Sequence, residues 1–96
     1  MNIIIDKASW HIDGGEDLQV VLDGFQTVFT FLHTHQLLNA DGEEIYELGI
    51  DSSISLHSGL LTETGFAFLQ AYYDEILSCD AKDRAKAIHA AYAKFR

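Results

Sequence analysis

Ninety-six residues fit a single domain, 1–96, with chain enough for one modest core. A hydrophobic fraction of 48% excludes general disorder, and a net charge of −9 argues against sequence-independent binding to nucleic-acid phosphates. No apolar run approaches the ~20 residues of a membrane span, so no membrane partner is expected.

In chain order, Ile3, Ile4 and Ile5 are a β-branched run that favours a short strand at 3–5. Asp6 to Ile12 suits a helical turn that buries Trp10, although Trp10 also fits an exposed patch. Asp6 and Asp13 do not suit a signal peptide. Gly14-Gly15 breaks the pattern.

A long helix is then predicted over 16–38. Leu18, Val21, Leu22, Phe25, Val28, Phe29 and Leu32 fall in one sector at helical spacing. Val20, Phe31 and Leu38 add a second apolar stripe, so the helix needs neighbours on two sides. At 1.5 Å per residue it would run roughly 35 Å. Gly24 marks either a bend or a close approach.

Residues 39–61 are ambiguous. Asp41-Gly42 reads as a turn. Alternation through Tyr46, Leu48 and Ile50, and through Ile54 and Leu56, allows a hairpin at 45–57. The competing reading is a loop with a short helix capped by Asp51 or Ser52.

A second helix is predicted over 62–79, capped by Thr62, with Phe66, Leu69, Tyr73, Ile76 and Leu77 on one stripe and Phe68, Tyr72 and Cys79 on another. It should lie along the first. A third, 80–96, is capped by Asp80 and runs from Ala81, with a stripe of Ala81, Ala85, Ile88, Tyr92 and Phe95. The fold class that follows is mainly α, a small bundle of three principal helices. The alternative is α+β, winged-helix-like.

The charge is lopsided. Residues 1–79 hold 13 acids and one base, Lys7, whereas 80–96 hold five bases and two acids. That describes an acidic body with a basic C-terminal helix, suited either to internal docking or to steering a basic partner. Cys79 has no internal disulfide partner, and a reducing, cytoplasmic setting is the natural reading.

No motif proposes catalysis. His33 and His35 point about 160° apart on a helix, since metal pairs need spacings of three or four. His33 should face solvent, and His35 should be a partly buried, hydrogen-bonded imidazole. His11, His57 and His89 are scattered. Asp41, Glu43 and Asp51 do not reproduce a calcium-binding loop, and there is no phosphate loop, GxSxG or CxxC. No metal, cofactor or enzymatic activity is therefore expected.

Glu43, Glu44, Glu47 and Asp51 gather around an expected surface loop and are the candidate partner contacts. Lys82, Arg84 and Lys86 are candidates for surface exposure or self-docking. In size and acidity the chain resembles the small immunity proteins that bacteria keep against toxins, many of them basic. The resemblance implies an inhibitor that neutralises a basic protein partner, and no motif carries residues over. A winged-helix-like regulator is a second reading. It rests on LLTETGFAFL as a helix start and on 45–57 as a wing, but Thr62–Cys79 offers no Lys or Arg to phosphates. A homodimer burying the surplus apolar stripes is a third.

Overall fold

A computed structural model describes residues 2–96, with only the backbone of Ala81. The elements in order are β1 (Ile4–Lys7), α1 (Ala8–Asp13), α2 (Leu18–Thr34), α3 (Ala40–Leu48), β2 (Ser55–His57), α4 (Glu63–Leu77) and α5 (Arg84–Phe95). Single 3-10 turns, Ser58–Leu60 and Ala81–Asp83, lead into α4 and α5. The chain is mainly helical, with one antiparallel pair of strands, β1 against β2.

The strand predicted at the isoleucine run is present, one residue later than expected. It pairs Ile4 with His57, Asp6 with Leu56 and Lys7 with Ser55, around an irregularity between Ile4 and Asp6. Asp6 therefore faces inward and is buried, while Ile3 and Ile4 stay exposed.

Among the described residues α2 is the longest helix and the centre of the core. Asp17 caps it, accepting from the Val20 amide at 3.1 Å. Val28, Phe29 and Leu32 are almost wholly buried, and Phe31 is buried on the other side, so the two-sided reading holds for the C-terminal half. It fails at the N-terminal turn: Leu18 and Val20 project past the core, 49% and 47% exposed. The helix runs unbroken through Gly24. It stops at Thr34 because Gln36 turns left-handed (φ 59°), letting the Leu37 amide donate to the Leu32 carbonyl at 2.8 Å. Leu38 therefore lies outside the helix, although it is buried.

No hairpin forms within 45–57, and neither Asp51 nor Ser52 caps a helix. Residues 40–48 are helical instead. Asn39 caps α3 by accepting from the Gly42 amide at 2.9 Å, with Asp41 and Glu43 in the first turn where the helix dipole favours acids. Gly42 is not a turn residue. It lets α3 approach the 58–60 turn so closely that a Cβ there would overlap the Leu60 carbonyl. The strand expected to pair locally, Ser55–His57, pairs with β1 instead.

Thr62 caps α4, accepting from the Gly65 amide at 3.0 Å, as its sequence implies. The main neighbour of α4 is α5 rather than α2, and α5 also packs on α2. Phe31 still meets Phe68, with ring centroids 6.1 Å apart. The last helix begins three residues later than expected, since the Asp80 carbonyl closes a 3-10 turn by accepting from the Asp83 amide. On its predicted stripe Ile88 is fully buried, Tyr92 and Phe95 are half-buried, and Ala85 is exposed; the Ala81 side chain lies outside the described residues. Trp10 does not enter the core. It is 55% exposed, and α1 buries Ala8 instead. Among the described residues no helix is long and apolar enough to cross a membrane.

Candidate functional site

The inward turn of β1 brings Asp6 beneath α1 and α4. Asp6 is 4% exposed, and its carboxylate is held on three sides. The Tyr73 hydroxyl donates to Oδ2 at 2.6 Å, His11 Nε2 donates to both oxygens at 2.8 Å, and the Lys7 amide donates to Oδ1 at 2.8 Å. On the far side of the ring, His11 Nδ1 donates to Glu16 Oε2 at 2.7 Å. Burial lowers the proton affinity of His11, but its hydrogen bonds to Asp6 and Glu16 and their charges outweigh it, so its pKa lies above the ordinary value. Burial, then the charge of Asp6 and the bond to it, push the Tyr73 phenol far up, with Arg84 pulling the other way.

This arrangement ties the start of α2 to β1, α1 and α4. In its protonated form His11 donates from both ring nitrogens, one to each carboxylate. The two carboxylates sit on opposite ring nitrogens, so they share no point where an ion could bind. Among the described residues no three His, Cys, Asp or Glu side chains are grouped to hold a metal.

Next to this cluster is a cleft of about 320 Å³, walled by Val21, Phe25 and Leu77 and bordered by Glu16, Asp80 and Arg84. Arg84 opens α5, and its guanidinium lies across α2 at Gly24, where a Cβ would stand 3.1 Å from Nη1. Close approach is thus the reading of Gly24 that holds. Arg84 is half-buried, and among the described residues its buried Nε has no hydrogen-bond partner and no ion pair includes it.

The four acids expected to contact a partner are not one cluster. Glu43 turns back to α2 and accepts from His33 Nδ1 at 2.7 Å, while His33 stacks on Tyr46 with centroids 4.5 Å apart. Asp51, beyond the end of α3, accepts from the Ser53 hydroxyl at 2.5 Å and its amide at 2.9 Å, bonds that hold its carboxyl below the usual range. Glu44 and Glu47 are exposed on α3. With them, at spacings of three and four, stand exposed Asp41 and Leu48, the latter 77% exposed. Sequence reasoning missed Asp41 because it was assigned to a turn, and the helix-start signal at Asn39 could have found it.

His33 and His35 separate as expected, but His89, expected to stand apart, lies beside His35 with ring centroids 6.0 Å away. His33 is exposed and faces α3. His35 is half-buried against Phe31 and Tyr92, with centroids 4.2 and 5.0 Å away, but makes no hydrogen bond among the described residues. Burial, then the neighbouring His89 and Arg96, lower its pKa. The Asp6–His11–Tyr73 network was missed entirely, since its partners are five and 67 residues apart in the chain. Comparison of the chain with family models, curated proteins and solved structures finds no match.

Proposed function

We propose that this chain is a protein-binding module for a basic partner, acting without catalysis or cofactor in a cytoplasmic setting. The observation that carries the reading is the outer face of α3. Asp41, Glu44 and Glu47 stand there exposed, outside every ion pair among the described residues, and the stripe ends in the exposed Leu48. Unpaired acids around an exposed apolar side chain suit a partner surface with Lys or Arg around an apolar contact, where the charges speed encounter and the leucine is desolvated on docking. An inhibitor of a basic toxin is the form of this reading that the size and acidity favour. Glu43 and Asp51 drop to supporting positions, because internal hydrogen bonds hold their carboxylates.

Affinity capture from the native cell, washed at low and high salt, tests it. One basic protein should be held at low salt, released at high salt, and lost to the triple variant Asp41→Lys, Glu44→Lys, Glu47→Lys. A partner that the triple variant holds as well as the parent would remove the assignment to α3. A homodimer is the second reading, favoured by Trp10, Leu18 and Val20, uncovered on the adjoining α1 and first turn of α2. Sedimentation across a concentration range decides it.

A further inference from the structure

His35 and His89 come together from separate elements. His35 closes α2 and His89 lies within α5, with their ring centroids 6.0 Å apart. Phe31 holds both in place: its ring is buried, and the two imidazole centroids stand 4.2 and 4.9 Å from it. Among the described residues neither imidazole makes a hydrogen bond, and neither has a ring nitrogen buried without a partner, since His89 is exposed. A neutral imidazole keeps one nitrogen lone pair, and here no protein donor takes it.

Two imidazoles share one ion only within a fixed reach. With a metal–nitrogen bond of about 2.0 Å and about 1.2 Å from nitrogen to ring centre, the centroids lie about 5.2 Å apart at a tetrahedral angle and about 6.4 Å apart when opposed. The separation of His35 and His89, 6.0 Å, falls between these limits. Clefts of about 280 and 590 Å³ open beside the pair and have only these two residues in common. They leave room for the water that an incomplete set of protein ligands requires.

The donor set also selects the ion. Neither cleft is lined by an Asp or Glu, although the chain has 15 of them. Magnesium and calcium need oxygen ligands, whereas imidazole suits zinc, copper and nickel. Burial, then the charges of His89 and Arg96, lower the pKa of His35, so its ring is neutral and able to ligate at pH 7. Arg96, whose guanidinium lies 5.6 Å from the centre of the Tyr92 ring, is the one permanent positive charge lining these clefts and tempers the affinity.

We propose that His35 and His89 form a two-histidine site for a late first-row divalent ion, zinc or copper(II), with water completing its coordination. The bound ion clamps the end of α2 to α5. This site is separate from the α3 face and stands or falls independently of the reading given for it.

Zinc chloride titrated into the intact chain and followed by ¹H–¹⁵N NMR should shift the imidazole resonances of His35 and His89 together, saturating at one ion per chain. Copper(II) should bind at least tenfold more tightly than zinc, and magnesium and calcium should shift neither ring. His35→Gln and His89→Gln should each weaken zinc binding at least tenfold, and His33→Gln should leave it unchanged. No imidazole shift at millimolar zinc would overturn the proposal. So would zinc shifts centred on His11 or His33, or binding that survives loss of either His35 or His89, which would mark an adventitious ion only. The parent chain's own imidazole resonances are decisive even if a variant fails to fold.

Discussion

At the scale of single residues, Asp6 is the position on which most else depends. Its carboxylate is out of water yet accepts from a phenol, an imidazole and an amide, so its burial is tolerated by complete satisfaction. Asp6→Ala leaves the Tyr73 hydroxyl buried without an acceptor and should cost about 3 kcal/mol in urea unfolding. Tyr73→Phe removes one donor of three and should cost less, about 1.5 kcal/mol. Equal costs would mean that the phenol alone carries the network. Two histidines set the pH response. The folded pKa of His11 is raised above 6.5, so its contribution is full below 6.5 and is lost as pH rises through the raised value. The folded pKa of His35 is lowered, so its contribution is full above 6.5 and is lost as pH falls through the lowered value. Chemical unfolding across pH should therefore show a maximum near 6.5 from this pair. His11→Gln should flatten only the alkaline limb, and His35→Gln only the acid limb. The half-burial of His35 was legible in helical spacing, but the Asp6 network was not, since His11 stood isolated in the sequence and its partners meet only after β1 is seated against α4.

At the scale of elements, the long helices were legible because helical spacing is a local property. The stripes of α2, α4 and α5 could be read from periodicity, as could the Thr62 cap. Two things could not. One was where α2 ends, because its left-handed stop is Gln36 rather than glycine. Replacing Gln36 by Gly removes the steric cost of that conformation and should stabilise the fold by about 0.5–1 kcal/mol, read as a higher urea midpoint. The other was α3, because its Asp41-Gly42 pair imitates a turn while Gly42 is retained for contact with Leu60. Gly42→Ala raises helix propensity by about 1 kcal/mol, yet the clash with backbone should make the net change destabilising by about 2 kcal/mol or more. A stabilised Gly42→Ala protein would show that α3 can move away from the 58–60 turn. Strand β2 was half-legible: its alternation showed, but its partner is some 50 residues away in sequence and carries no local mark.

At the scale of the whole molecule, charge is the dominant property. The expected docking of a basic C-terminal helix on an acidic body is realised sparingly. Lys94 pairs with Glu75 at 3.1 Å, both largely exposed, and Arg84 lies over α2 at Gly24. Most of the 15 acids have no ion-pair partner among the described residues, so the folded chain repels itself. Thermal unfolding should therefore move to higher temperature as sodium chloride rises from low to physiological concentration, because screening relieves that repulsion. A midpoint that falls with salt would mean that the few ion pairs outweigh it.

The hydrogen bond from Tyr73 to Asp6 also sets an order of events during synthesis. Its two partners are 67 residues apart in the chain. At the usual pace of translation, Asp6 waits about 3–13 s for Tyr73 to be made. Until then the carboxylate has no phenol to accept from, so moving it out of water is disfavoured and the first strand is better left hydrated. The hydrophobic stretch of α2 is made in that interval, before its eventual neighbour α5. The nascent chain therefore passes through a stage rich in exposed apolar helix, and its many acids are the one protection against association that is present from the first residues onward.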